Sequence, residues 1–210
     1  ADNAVAQQAE AWQAQGIEVV ALGWDDLDKA LAALPADRPL RGVIHAAGVL
    51  RDQHIGAIES DDLAPVLQAK WGVEKKLAQL RQRSPECWRH LDFYVVFSSI
   101  AAGLGSPGQL AYAAANGALE ASCLSAPSEG PMQLAIQWGP WAGAGMAAGL
   151  DRRLDAVGLI PLEEDEAFAV LEQLLQRGRC GVVMAMAADW PRFVSQAMPR
   201  QAGWFQALLP

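Results

Sequence analysis

The sequence is poor in positive charge, and this limits the kinds of partner the protein can have. Its 210 residues include 16 lysines and arginines against 24 aspartates and glutamates, which gives a net charge of -8 at pH 7. No stretch concentrates lysine and arginine into a face that could follow a phosphate backbone, so we expect no nucleic-acid partner. No apolar run approaches the roughly 20 residues that a membrane span needs, and no signal peptide is visible, so we expect no membrane partner.

Cysteine is scarce as well. Cys87, Cys123 and Cys180 are odd in number and lack the spacing of metal ligands. They predict reduced thiols in a cytoplasmic protein and no metal site.

The remaining composition predicts a globular α/β protein. Hydrophobic residues make up 52% of the chain and charged residues 19%, enough for a single domain over residues 1–210. Apolar runs predict strands over 17–22, 40–48, 91–99, 132–139 and 181–186. Between them, amphipathic or capped stretches predict helices over 2–15, 25–34, 60–82, 108–124 and 162–176, with a terminal helix starting near 189. Strands that alternate with helices and are apolar almost throughout predict a doubly wound, mostly parallel sheet covered on both faces.

A glycine pattern, "GLGSPG" at 103–108, follows one strand and precedes a helix, as the phosphate-binding turn of a dinucleotide fold does. Two features argue against that function. Residues 98–102 separate the strand from the first glycine, where a tight turn is needed. The acid expected about 20 residues later to bind a ribose would be Glu129, which falls in a loop.

Four polar residues are candidates for chemistry. Lys70 interrupts an apolar helical stripe, so it either extends its amine to solvent or directs a cation at a site. Ser99 ends a parallel strand at the carboxyl edge, where ligands bind in such sheets. Tyr112 and Asn116 are four residues apart and share one face of the next helix, although each could also serve packing alone. Ser98 should face away from its neighbour Ser99.

These residues lie in segments that together resemble the ketoreductase domains of modular polyketide synthases. The segments are "GVIHAAGVLRD", "LQAKWGVEKKL", "FSSIAAGLGSPGQLAYAAANGALEA" and "LAIQWGPWAGAGMA", in family order and spacing. The resemblance implies a Rossmann-like fold of the short-chain dehydrogenase/reductase type. It also implies NADPH-dependent reduction of a β-ketoacyl thioester, carried on the phosphopantetheine arm of an acyl carrier protein, to a β-hydroxyacyl thioester. Most superfamily members have lysine four residues after the catalytic tyrosine; Asn116 stands there, and Lys70 on the preceding helix matches the ketoreductase arrangement.

The resemblance also implies roles for individual residues. Tyr112 would protonate the substrate oxygen, and Ser99 would hydrogen-bond it. Lys70 would hold the nicotinamide ribose and lower the pKa of Tyr112, because a cation about 4–6 Å away typically does so by about 1–3 units. Asn116 would order the helix and a proton path. Further cofactor contacts would come from Asp25, His45, Ala46, Ala47, Gly48, Trp138, Gly139 and Pro140.

Stereochemistry is implied by a second set of positions. "LRD" at 50–52 keeps Asp52, the last aspartate of the Leu-Asp-Asp motif found in one ketoreductase class, but has Arg51 in the middle. The opposite class has tryptophan eight residues before the tyrosine, where this chain has Leu104. We therefore expect the D-hydroxy product, with Gln109, Trp141 and Met146 also lining the substrate site and "AGAGMAAGL" leading into a lid.

The family's phosphate-binding turn and its first β-α-β unit have no counterpart in the sequence. We therefore expect this chain to be the catalytic portion of a larger synthase, partnered by an upstream portion of the same domain and by neighbouring domains, with an incomplete NADPH site of its own. Without the intervening strands, sheet edges should be left unpaired. The alternatives are a catalytically silent or epimerising scaffold domain, and a sugar-nucleotide epimerase or dehydratase, against which Asn116 counts.

Overall fold

The chain folds into a layered α/β structure. The computed structural model describes residues 9–20, 22–125, 130–143, 146 and 149–209, without the side chains of residues 24 and 25. Residues 9–14 are helical, as expected for the end of the predicted first helix, and Gly16 ends it with a φ of 82°. The α-helices that follow are α1 (Trp24–Ala32), α2 (Ser60–Leu67), α3 (Val73–Arg83), α4 (Pro85–Trp88), α5 (Ile100–Leu104), α6 (Leu110–Leu124), α7 (Asp151–Ala156), α8 (Glu164–Gln176) and α9 (Trp190–Ala197). The strands are β1 (Gly42–His45), β2 (Phe93–Ser99), β3 (Met132–Trp138), β4 (Leu159–Ile160), β5 (Gly181–Ala185) and β6 (Ala187–Ala188).

The main sheet has four parallel strands in the order β1-β2-β3-β5. The register pairs His45 with Val96 and Ser99 with Trp138, so the strands end at one carboxyl edge. Each strand is joined to the next by a helix, because parallel neighbours need a crossover. The predicted doubly wound, Rossmann-like fold is confirmed.

The two faces of the sheet are covered by different helices, because successive side chains of a strand point in opposite directions. On one face, Tyr94 and Val96 of β2 pack with leucines of α3 and with Leu119 of α6. On the other face, Val95 of β2 and Leu134 and Ile136 of β3 pack against α8. Helix α2 packs against α6 near the end of β2, where the candidate residues lie.

The predicted strand over 17–22 is wrong for the residues that can be seen. Residues 17–20 and 22 are not in a strand, and residue 21 lies outside the described part of the chain. A strand forms only when another strand accepts its hydrogen bonds, and the described residues supply no neighbour for it. The same shortage leaves β1 as an edge strand, with Ile44 47% exposed.

Three local features were not predicted. The long helix predicted over 60–82 contains one π-helical turn, Gln68–Gly72, between α2 and α3. A short helix, α5, follows β2 directly. The antiparallel pair β4–β6 joins α9 and the 3₁₀ helix Pro199–Leu208 to form a separate apolar cluster centred on Phe193 and Phe205. Within the described ranges, no helix combines the length and apolarity that crossing a membrane would require.

Candidate active site

Lys70 lies in the π-helical turn and is buried to 2% exposure. Its Nζ donates a hydrogen bond of 2.8 Å to the carbonyl of Phe97, near the end of β2. Burial lowers its pKa from 10.5 to about 8, because an ammonium is less stable away from water. No carboxylate of the described residues forms an ion pair with it. The side chain therefore points inward at the site, and the solvent-directed alternative is wrong.

Tyr112 lies next to this ammonium, and Ser99 and Asn116 lie next to Tyr112. The Tyr112 side chain, in the first turn of α6, has its ring centroid 5.5 Å from Lys70 Nζ and is 7% exposed. Ser99 ends β2 and its Oγ accepts a 3.2 Å hydrogen bond from Ala101 N, which caps α5. Asn116 donates through Nδ2 to the backbone carbonyl of Tyr112 at 2.8 Å. The structure therefore brings together the four residues singled out from the sequence.

The pKa of Tyr112 differs from the expectation. Burial raises it above the ordinary value of 10; hydrogen bonding by the Asn116 and Ser99 side chains opposes this rise, and the charge of Asp52 adds to it. We expected a lowered pKa from the neighbouring cation. The expectation failed because the ammonium is itself desolvated, with a pKa of about 8, and is neutral by the time the phenol titrates.

Asn116 carries a buried polar atom without a partner. The residue is fully buried, and its Oδ1 accepts no hydrogen bond from the described part of the chain. Leaving such an atom unpaired costs about 1–3 kcal/mol, so a water or another donor is expected there. This fits a residue beside a proton path.

The segment 45–48 lies directly against Lys70. A Cβ added to Gly48 would lie 3.1 Å from Lys70 Cε, 3.4 Å from its Nζ and 3.8 Å from Met146 Cε. His45 is 3% exposed, and both its ring nitrogens are used inside the protein, by the carbonyl of Lys70 and the N–H of Ala47. Because glycine has no side chain, position 48 adds no atoms against the amine. Ala46 and Ala47 follow the end of β1 in the same segment.

The segment 138–141 extends the site beyond β3. Gly139 N donates to Ala185 O at 2.8 Å, and an added Cβ at Gly139 would lie 3.0 Å from Met186 Cβ. The carbonyl of Pro140 accepts from Leu162 N at 2.8 Å. Trp138 is buried, and its indole N–H has no partner within the described ranges.

The stereocontrol positions divide between two places. Gln109 Nε2 donates to both carboxylate oxygens of Asp52, at 3.2 and 3.1 Å, and Gln53 N donates to Gly108 O at 2.8 Å. These bonds hold the loop after β1 against the end of "GLGSPG" and place the Asp52 charge near Tyr112. Leu104, in contrast, packs with the apolar cluster around Phe193.

The structure describes three further residues of the predicted site, though not all of them completely. Trp141 stacks edge-on against Trp138 at 5.1 Å and Phe168 at 5.6 Å, between β3 and α8. Met146 reaches Gly48, but residues 144, 145, 147 and 148 of the segment that leads into the predicted lid lie outside the described part of the chain. Asp25 lies in α1, and its side chain is outside the described part.

A buried polar network next to the site was missed. Ser98 Oγ donates to Glu120 Oε1, and Gln137 Nε2 donates to Glu120 Oε2 at 3.0 Å. Glu120 thereby ties α6 to both β2 and β3. Its position four residues after Asn116, on the same helical face, was a signal that could have found it.

This geometry defines a class of protein: an open α/β fold with lysine, tyrosine and serine converging at the carboxyl edge of the sheet is the arrangement of a short-chain dehydrogenase/reductase. The KR domain family model matches residues 1–143, and the chain belongs to this family, the ketoreductase domains of polyketide synthases.

Relatives support this membership. Erythronolide synthase EryA2 of Saccharopolyspora erythraea is 39% identical over 155 residues, 73% of this chain and 4% of its own length. "Structure of A1-type ketoreductase" superposes with a TM-score of 0.81 at 28% identity, over 95% of this chain and 44% of that one. "The first ketoreductase of the tylosin PKS" gives a TM-score of 0.76 at 32% identity, over 94% and 46%. The chain thus spans less than a tenth of this synthase and less than half of these ketoreductase structures.

Proposed function

We propose that this chain is the catalytic portion of an NADPH-dependent reductase. It converts a β-ketoacyl thioester on the phosphopantetheine arm of an acyl carrier protein to the D-β-hydroxyacyl thioester during polyketide chain extension. The observation that carries the proposal is the convergence of Lys70, Ser99 and Tyr112 on one buried place, with 5.5 Å between the ammonium and the phenol ring centroid. Membership of the ketoreductase family supports the reaction class.

The proton step follows from the protonation states. Because its pKa is raised, Tyr112 is a phenol at neutral pH and has a proton to give. Its Oη donates this proton to the substrate oxygen while Ser99 Oγ hydrogen-bonds the same oxygen and stabilises the charge that develops there. Lys70 is mostly charged at pH 7, since its pKa is about 8, and stabilises the phenolate that remains.

The residues present fit the nicotinamide end of the cofactor. Within the described part of the chain, Lys70 commits one of its three N–H donors, to Phe97 O, and the missing side chain of Gly48 leaves room beside the amine, so ribose hydroxyls have donors and space. When bound, the dinucleotide supplies the hydride. For its phosphate end, no glycine-rich turn that follows a strand tightly and faces a helix N-terminus is found in the described part of the chain.

The first experiment is a turnover assay with a β-ketoacyl thioester mimic and NADPH, on the domain extended upstream. We expect Tyr112→Phe to reduce kcat by about 10²–10⁴-fold, the usual contribution of general acid catalysis. Tyr94→Phe is the matched control, because Tyr94 is the only other tyrosine and hydrogen-bonds Glu74 inside the core. Full activity of the Tyr112 variant would remove it as proton donor. A folded, NADPH-binding protein without turnover would be a scaffold domain instead.

A second proposal concerns the upstream portion of the domain. The edge of β1 without a described neighbour, with Ile44 47% exposed, supports pairing with a further parallel strand whose unit carries the phosphate-binding turn. We expect NADPH to bind the extended protein much more tightly than this chain alone. Equal dissociation constants by calorimetry would contradict this division of the site.

The product configuration is tested by chiral chromatography of the released β-hydroxy acid. Support for the D product comes from Asp52, which Gln109 holds near Tyr112. We expect Gln109→Leu, which frees the aspartate, to lower the stereochemical purity. An L product from the unaltered enzyme would overturn the assignment.

A further inference from the structure

His45 is a buried titratable residue whose contacts are with the helix that carries Lys70. Its Nε2 lies 3.0 Å from the backbone carbonyl of Lys70, and Ala47 N donates to its Nδ1 at 3.4 Å. Since Nδ1 accepts, the proton of the neutral ring lies on Nε2, which therefore donates to the Lys70 carbonyl. Burial lowers the pKa of His45, so the ring is neutral at pH 7.

The carbonyl that accepts this bond belongs to an irregular turn of the helix. Gln68–Gly72 is a π-helical turn inside an otherwise α-helical segment, and such turns are rare and frequently lie at functional sites. Lys70 O accepts from the backbone N–H of Val73 and also from the imidazole. The bond from β1 therefore reaches the one residue of the turn whose side chain enters the site.

The two ends of Lys70 are fixed from two strands. His45 of β1 holds its backbone carbonyl, and Phe97 of β2 holds its Nζ at 2.8 Å. The ionisable side chains that face this pair are Glu74 on α3 and Tyr112 on α6. Because β1 and β2 are adjacent parallel strands, they form a rigid frame for the amine.

We infer that His45 is a positioning residue, which holds the π-helical turn through Nε2–H and thereby aims the Lys70 ammonium at Tyr112. The inference concerns the proposed reductase site and rests on that function for its effect on turnover. It differs from a cofactor contact, because both ring nitrogens are already engaged by the protein.

Three substitutions separate the contacts of the ring. The amide nitrogen of glutamine falls where Nε2 lies, so His45→Gln keeps a donor for Lys70 O. The amide of asparagine falls where Nδ1 lies, so His45→Asn keeps polarity and size near Ala47 but loses the bond to Lys70. His45→Phe fills the space without a donor.

The first readout is Lys70 itself, observed by NMR of this chain with ¹³Cε-labelled lysine. The chain has four lysines, and Lys70→Arg identifies the signal of interest. In the unaltered protein we expect a titration midpoint near 8. His45→Gln should keep it, whereas His45→Asn and His45→Phe should shift it toward the ordinary 10.5. A midpoint that is unchanged in the asparagine and phenylalanine variants would overturn the inference, whether or not the protein reduces a ketone.

The second readout is steady-state kinetics of the extended protein. We expect His45→Asn to lower kcat by about tenfold, as expected for a misplaced catalytic group, with the KM for NADPH nearly unchanged and with rescue by glutamine. A rise in the KM for NADPH in all three variants, with kcat preserved, would instead make His45 a cofactor contact. If the unaltered enzyme shows no turnover, the proposed function is wrong. The NMR titration of Lys70 then tests the role of His45 independently.

Discussion

Replacing Lys70 by methionine is expected to stabilise the protein at neutral pH while abolishing its proposed activity. The lysine side chain is 2% exposed, lacks an ion-pair partner in the described part of the chain, and has its pKa lowered from 10.5 to about 8. Each pKa unit corresponds to about 1.4 kcal/mol, so the buried ammonium costs roughly 3 kcal/mol of stability at pH 7. Methionine removes this cost and fills a similar volume.

An opposing effect comes from the carbonyl of Phe97, which loses the 2.8 Å hydrogen bond from Nζ. An unsatisfied buried carbonyl costs about 1–3 kcal/mol, so the net gain at pH 7 is about 0–2 kcal/mol. Between pH 8 and 10.5 the unfolded chain binds a proton at Lys70 that the folded protein does not, so the wild type gains stability as pH rises through this window. Near pH 10.5 burial of the Lys70 side chain costs the wild type almost no stability, because the folded protein holds it as a neutral amine. The variant should then be the less stable protein.

The assay is urea unfolding of both proteins at several pH values from 7 to 10.5, followed by circular dichroism. We expect the difference in the free energy of unfolding to change by about 3 kcal/mol in favour of wild type across this range. Lys29→Met is the control, since that side chain is 85% exposed and its replacement removes a lysine without changing the buried packing. A Lys70→Met difference that does not vary with pH would refute the view that the ammonium is buried and desolvated.

Two further pairs of substitutions test other parts of the structure. Ser99→Ala should reduce kcat by about 10²-fold, since it removes a hydrogen bond to the developing charge, whereas Ser98→Ala, whose hydroxyl bonds Glu120, should change thermal stability but not turnover. Gly158→Ala should destabilise the fold by about 2–4 kcal/mol in urea unfolding, because φ is 75° and the new Cβ would lie 2.9 Å from Phe193 N. Gly178→Ala, with φ 59° and open space, should cost about 1 kcal/mol, and equal losses at both glycines would contradict the steric argument.

The sequence predicts most of the sheet and helices because burial imposes visible periods on them. The strands β2 and β3 are apolar almost throughout, as strands covered on both faces must be, and α8 shows a clear apolar stripe. The segment 17–22 has an equally apolar pattern and was predicted as a strand, but strand formation needs a hydrogen-bonding neighbour, which composition cannot supply. The prediction failed because strand formation depends on the tertiary structure around the segment.

The residues that form the site could be predicted from the sequence, but their pKa values could not. Lys70 was visible as a charge in an apolar stripe, and Tyr112 with Asn116 as a helical pair. The direction of the Tyr112 pKa could not be obtained from residue types, because it depends on whether burial or the neighbouring charge dominates. The π-helical turn and the bond from His45 were equally hidden, since both depend on the approach of β1 to the helix.

The burial of Lys70 is unfavourable for stability but useful for chemistry. Among the described residues, Lys70 is held by a carbonyl oxygen and an aromatic ring but by no carboxylate, and an apolar residue of similar size would pack there without the desolvation cost. Among the described residues, the adjoining clusters consist of apolar and aromatic side chains, and α2 packs against α6 through Val66 and alanines, so these contacts do not need an ammonium at this place. The groups that gain from the charge are the phenol of Tyr112, when it gives up its proton, and a ligand placed beside Gly48. The unfavourable burial of Lys70 is therefore best explained by chemistry at the carboxyl edge of the sheet, which is why its stability and its catalysis should respond in opposite directions to the same substitution.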